Sequence, residues 1–235
     1  MAGLYSQWRP DSTVGLLPGT KKPLDGAETA VMNRATRTSL WMGAAFIASL
    51  TATLFALAAA GTGPGGVVFA LRLTARVSFL FFWPAYVGGA VAELLGPPFD
   101  VLSRRAREFG LAFAAAQTVH LGLVVWIALI SANQTLVQAV MPFFAIGIVW
   151  TYLLAFSSLE RVRGALSPEL LRALRTIGVE YIALVFFVDF IVAPSHPLRQ
   201  PLQYVPFWIL LLAGPCLRLA ATVRGATTGA ARGFG

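Results

Sequence analysis

At 235 residues, with 57% apolar side chains, 12% charged ones and a mean hydropathy of +0.72, the chain is too apolar for a soluble domain of its size and reads as a polytopic membrane protein. Its net charge of +8 would suggest nucleic acid in a soluble protein. Here the basic residues sit between the apolar runs, which points to loop-directed orientation and anionic lipid headgroups and leaves nucleic acid out as a partner. The one cysteine, Cys216, lies inside an apolar run, so no disulfide framework or thiolate metal cluster can form within the chain.

Residues 1–38 are polar, with Gly, Pro, Asp and Lys scattered among them and no sustained apolar period, and are expected to form a loosely ordered N-terminal tail. Residues 39–60 make the first predicted span. Its Ala58-Ala59-Ala60 end is similar to a signal-peptidase site, but the polar region before it is far longer than a usual n-region, so an uncleaved anchor is expected. A glycine- and proline-rich turn, 61–66, leads to the second span, 67–95, where Arg72 and Arg76 lie four apart on one helix face and Pro84 predicts a kink.

The prolines of 96–107 are expected to break the helix, and that segment supplies Arg104, Arg105 and Arg107. The central span, 110–132, is long enough to cross a bilayer yet carries Gln117 and His120 near its middle. His120 is ten residues in from Gly110, roughly 15 Å along the axis and close to the midplane. Gln117 sits one turn earlier on a face with Phe113, Ala116 and Val124, and is one expected hydrogen-bond partner for the imidazole, beside a backbone carbonyl or a neighbouring helix.

A fourth span is expected over 136–156. The basic connection 157–175 contains Ser167-Pro168-Glu169, a helix start with serine as N-cap, and that helix should run into a fifth span, 176–193. Asp189 reads as the acid inside a span; it needs a partner, and Arg76, with Arg72 as second choice, lies at the same depth. Residues 204–221 give a sixth span and 222–235 a short tail. The expected architecture is thus all-α, with six transmembrane helices over 39–221. Lysine and arginine fall overwhelmingly on one alternate side, which places both termini in the cytoplasm. Small residues such as Gly88, Gly89 and Gly110 are expected to allow close helix approach.

From residue 71 to about 219 the chain resembles the ferric-reductase-like transmembrane family, six-helix cytochrome domains that carry electrons through paired b hemes. The resemblance is carried by Arg72-Leu73-Thr74-Ala75-Arg76, by Arg104-Arg105-Ala106-Arg107-Glu108-Phe109-Gly110-Leu111, and by His120. Leu171-Arg172-Ala173-Leu174-Arg175 also stands where the family has a basic segment ending in Leu-His. What it implies is a heme-binding bundle, from which this chain departs at the ligands. The family's next histidine positions read Arg175 and, about thirteen residues on, Val188 and Asp189, and Gln117 stands where some bacterial members carry a histidine. Arginine stays protonated and offers iron no lone pair. His196 lies in the outer loop, which would have to dip roughly 10 Å to reach His120.

The expectation is a membrane component, structural or accessory, that keeps the scaffold without the heme-ligand set, holds no resident cofactor and has no catalytic residue or metal site. Its partners would be the lipid bilayer and subunits of a larger membrane complex. The alternative is a single-heme b-type electron-transfer subunit of a membrane oxidoreductase. In that case His120 is the cofactor-binding residue, and a separate protein donates electrons, because no GxGxxG after a strand and no phosphate loop occurs in the chain. Whether the chain is enzymatic is left open. Gln117, Asp189, Arg72 and Arg76 are expected as structural polar residues, and the bacterial inner membrane as the location.

Overall fold

The computed structural model describes residues 25–130, 134–192 and 203–232, and these are helical throughout apart from short turns, with no strand among them. In chain order they form α1 (Asp25–Ala60), α2 (Pro64–Leu95), a 3-10 turn (Pro97–Phe99), α3 (Asp100–Ile130), α4 (Gln134–Ser157) and the short α5 (Glu160–Ala165). They continue with α6 (Pro168–Phe187), a π-helical turn (Val188–Val192) and α7 (Val205–Arg232). The chain divides into residues 1–36 and 37–235. Of the first, the described part is the helical start of α1; all that follows concerns the second.

Among the described residues, four stretches are long and apolar enough to cross a bilayer: Ala35–Ala60, Pro64–Leu95, Pro97–Ile130 and Val205–Thr227. Met141–Ser157 is a shorter apolar helix. Helices that satisfy their own backbone over such lengths are what a hydrocarbon slab admits, and the chain is an integral membrane protein of the all-helical class. The outward faces agree with that solvent: Leu129 is 80% exposed and Ile209 61%. Threonines inside the helices close their hydroxyls onto the preceding turn, Thr53 onto the Ser49 carbonyl at 2.9 Å and Thr151 onto that of Gly147 at 2.9 Å, so these two donors are not stranded in apolar surroundings.

The boundaries follow local chemistry. Gly61 and Gly96 adopt φ of +80° and +85°, conformations that disfavour a Cβ, and so close the ends of α1 and α2. Pro64 starts α2, and Ser167 caps α6 by accepting a hydrogen bond from the Leu170 amide at 3.2 Å, with Pro168 in the first turn as its sequence pattern predicts. Two expectations are corrected. The polar N-terminal segment is already helical from Asp25, and the arginines 104, 105 and 107 do not lie in a break. After Pro97 and Pro98 the helix resumes at Asp100, whose acidic side chain favours a helix N-terminus, so the basic residues belong to the first turns of α3. At Pro84, where a kink is predicted, α2 continues unbroken to Leu95.

α2 is the hub, packed against α3 on one side and α7 on another, while α4 pairs with α6. Between α2, α6, the π-turn and α7 lies a cluster of rings around the fully buried Phe79, whose centroid is 5.1 Å from that of Phe186, 5.4 Å from Phe190 and 6.0 Å from Phe207. A smaller seam of Ala45, Ala112 and Ala116 with Trp41 lets α1 approach α3.

Of the small residues singled out, Gly88 alone among Gly88, Gly89 and Gly110 is needed for close approach. A Cβ there would come within 2.9 Å of the Leu102 carbonyl oxygen, whereas Gly89 and Gly110 have nothing within 4 Å. Gly88→Val is therefore expected to lower stability by about 2 kcal/mol through overpacking of the α2–α3 contact. Gly89→Val should melt like the parent in detergent, and equal losses in the two would refute the assignment.

Candidate functional site

His120 lies half-buried on α3 and faces α2. Its Nδ1 is 2.9 Å from the Thr74 hydroxyl. The partner is thus a neighbouring helix rather than Gln117, and Thr74 lies between Arg72 and Arg76 on α2. The Thr74 hydroxyl donates to the Ala70 carbonyl at 2.9 Å, with the Leu71 carbonyl at 3.1 Å. With its proton used there, the hydroxyl oxygen accepts from His120 Nδ1–H, which assigns the tautomer and leaves the lone pair on Nε2. Gln117 keeps a buried Oε1 that has no hydrogen-bond partner.

Arg76 holds its guanidinium 4.3 Å from the Tyr204 ring centroid and 5.8 Å from that of Phe207, a stacked arrangement in which the rings take the charge. Asp189 sits in the π-turn that ends α6, and Arg72 half-buried on α2. His196 lies outside the described residues.

Two charge clusters lie beyond the residues selected from sequence. Arg37 donates from Nε to Glu108 Oε1 at 2.8 Å, tying α1 to α3, with the Glu108 side chain 6% exposed and that of Arg37 49%. The second cluster joins α2, α6 and α7. Glu180 accepts from the Tyr86 hydroxyl at 2.9 Å and pairs with Arg218 Nε at 3.0 Å. Arg218 also donates from Nη1 to the Tyr86 carbonyl at 3.1 Å and stacks on the Tyr86 ring at 4.8 Å. Glu180 is a second acid inside the predicted fifth span, overlooked beside Asp189. Its signal was available, since Arg218 sits well inside the last apolar run and needs an anion or an interface.

Next to this cluster opens a cavity of about 430 Å³ whose charged lining residues are Arg104, Arg107, Arg175 and Arg218. Its deeper wall is apolar, with Phe82, Phe113 and Ile182. Arg107 is held by the Ser158 carbonyl, to which its Nε donates at 3.1 Å. Arg104 and Arg175 are exposed and make no hydrogen bond or ion pair among the described residues. Among those residues no group of three or more His, Cys, Asp or Glu could hold a metal ion.

The structure thus gathers two kinds of chemistry: one imidazole between α2 and α3, and four guanidiniums around a partly apolar cavity. No family model, curated protein or solved structure matches this chain.

Proposed function

We propose that the chain is a six-helix membrane protein, with α4 and α6 supplying the fourth and fifth spans and both termini cytoplasmic. In this reading it resembles the ferric-reductase-like transmembrane family without its heme-ligand set, and serves as a structural or accessory component of a complex in the bacterial inner membrane. The observation that carries the reading is the His120 Nδ1 to Thr74 Oγ1 bond of 2.9 Å, which uses the imidazole to hold two helices together. The ring cluster around Phe79 supports it, because aromatic side chains fill the space between α2, α6 and α7. Asp189, Arg72 and Arg76 are then structural polar groups, and the pairing of Asp189 with one of the two arginines belongs to the same reading.

The same bond favours one alternative. Histidines that ligate a metal commonly donate their second N–H to an oxygen, and His120 does so with Nε2 left as the ligating nitrogen. A single-heme b-type electron-transfer subunit fed by a separate donor protein is the reading that follows. The absorption spectrum of the purified chain separates the two. We expect no Soret band in the wild type even after expression with excess hemin. A band present in the wild type and lost in His120→Ala would overturn the structural reading and establish the alternative.

A further inference from the structure

The cavity beside Arg218 has a graded lining that neither function above uses. Along α3 its wall is formed by Arg104, Arg107, Gly110 and Phe113, each three residues further along the helix than the last. Phe113 is thus roughly 13 Å further along the axis than Arg104. Across from them, α6 repeats the order, with Arg175 at the outer turn, then Val179 and Ile182 deeper. Arg104, Arg107 and Arg175 thus precede the apolar Phe113, Val179 and Ile182 along their helices, while Arg218 meets Glu180, one residue past Val179.

The geometry points to a binding site for the phosphate of an anionic phospholipid, its headgroup among Arg104, Arg107, Arg175 and Arg218 and its first apolar carbons against Phe82, Phe113 and Ile182. An anionic occupant is favoured, because Glu180 balances Arg218 from outside the lining while Arg104, Arg107 and Arg175 have no carboxylate in the cavity wall to balance them. Phosphate fits better than a carboxylate, since several forked guanidinium donors around one point match its spread of acceptor oxygens. Two of the four are already positioned, Arg107 by the Ser158 carbonyl and Arg218 by Glu180 and the Tyr86 ring, and Arg104 and Arg175 stand ready to close on a ligand. A free phosphate would engage the arginine end and leave the apolar part of 430 Å³ unfilled; a lipid fills both. The site also lies at the end of the bundle that carries the arginine excess, where basic pockets between transmembrane helices meet anionic headgroups.

The test is lipid retention by the full chain in nanodiscs of phosphatidylcholine with a minority of phosphatidylglycerol, read by native mass spectrometry after partial delipidation. The wild type is expected to retain phosphatidylglycerol about tenfold over its bulk share. The Arg104→Gln/Arg175→Gln variant should fall to the bulk share. Arg105→Gln/Arg172→Gln removes the same charge from neighbouring positions outside the cavity and should retain the lipid as the wild type does. Thermal melts of both variants report folding, and these four side chains are not bonded across helices. Absence of enrichment in the wild type would overturn the site, and so would equal loss in the two variants, which would mean diffuse surface attraction. Full displacement of the lipid by inorganic phosphate would assign the arginines to a soluble phosphate compound and overturn the lipid proposal.

Discussion

Phe79→Ala should be the most damaging single truncation in this chain, lowering the stability of the bundle by about 3 kcal/mol. Phe79 has no exposed surface, and its ring meets those of Phe82, Phe186, Phe190 and Phe207, which belong to α2, α6, the π-turn and α7. In water such a loss combines the transfer of apolar surface with the cavity left behind. In a bilayer the separated helices still lie in hydrocarbon, so the transfer part shrinks and the lost ring contacts dominate, which sets the figure near the lower end of the range for phenylalanine. Phe55→Ala is the control: Phe55 is 63% exposed on α1, faces a medium as apolar as itself, and should change stability by less than about 0.5 kcal/mol. Unfolding in mixed micelles of increasing denaturing detergent measures both. Equal effects would mean that the ring cluster does not hold α2, α6 and α7 together.

The second large effect concerns the tie between α1 and α3, and its size depends on which partner is removed. Arg37→Ala leaves a buried Glu108 without its cation, with Oε2 already lacking a hydrogen bond, and is expected to cost about 3 kcal/mol. Glu108→Gln leaves an arginine that is half-exposed and can be solvated, so about 1 kcal/mol is expected. The double variant Arg37→Ala/Glu108→Gln should recover most of the loss of the first, because the uncompensated charge is gone. Thermal melts of the three variants in one detergent form the cycle that measures the coupling. Additive losses would show that the pair contributes nothing beyond its separate side chains.

Membrane class and helix placement could be read from the chain alone. The apolar runs announce α2, α4, α7 and the apolar parts of α1, α3 and α6, though not the polar start of α1 or the short α5, and Ser167-Pro168 marks the start of α6 because capping is a contact within one turn. The continuation of α3 through its arginines was hidden, since the two prolines before it look like a stop and only the resumed helix at Asp100 makes them a start. His120 was legible as the one imidazole at mid-depth, and its need for a partner followed from burial. That the partner is Thr74 was not legible, because the bond joins residues 46 apart and nothing local marks the one threonine of α2 as the partner of an imidazole on α3.

The charge clusters divide the same way. Composition and spacing by themselves determined that arginines gather between the spans and that a lone acid or base in lipid must find company, because both follow from the cost of charge in hydrocarbon. Which acid meets which base was decided only by the packing of α1 against α3 and of α2 and α6 against α7. That packing brings Glu180 to Arg218 and Glu108 to Arg37, lays Arg76 on Tyr204, and turns four separate arginines into the lining of one cavity. Helix formation is written in neighbours along the chain. Partnership across helices depends on rotation and depth, which no single segment encodes.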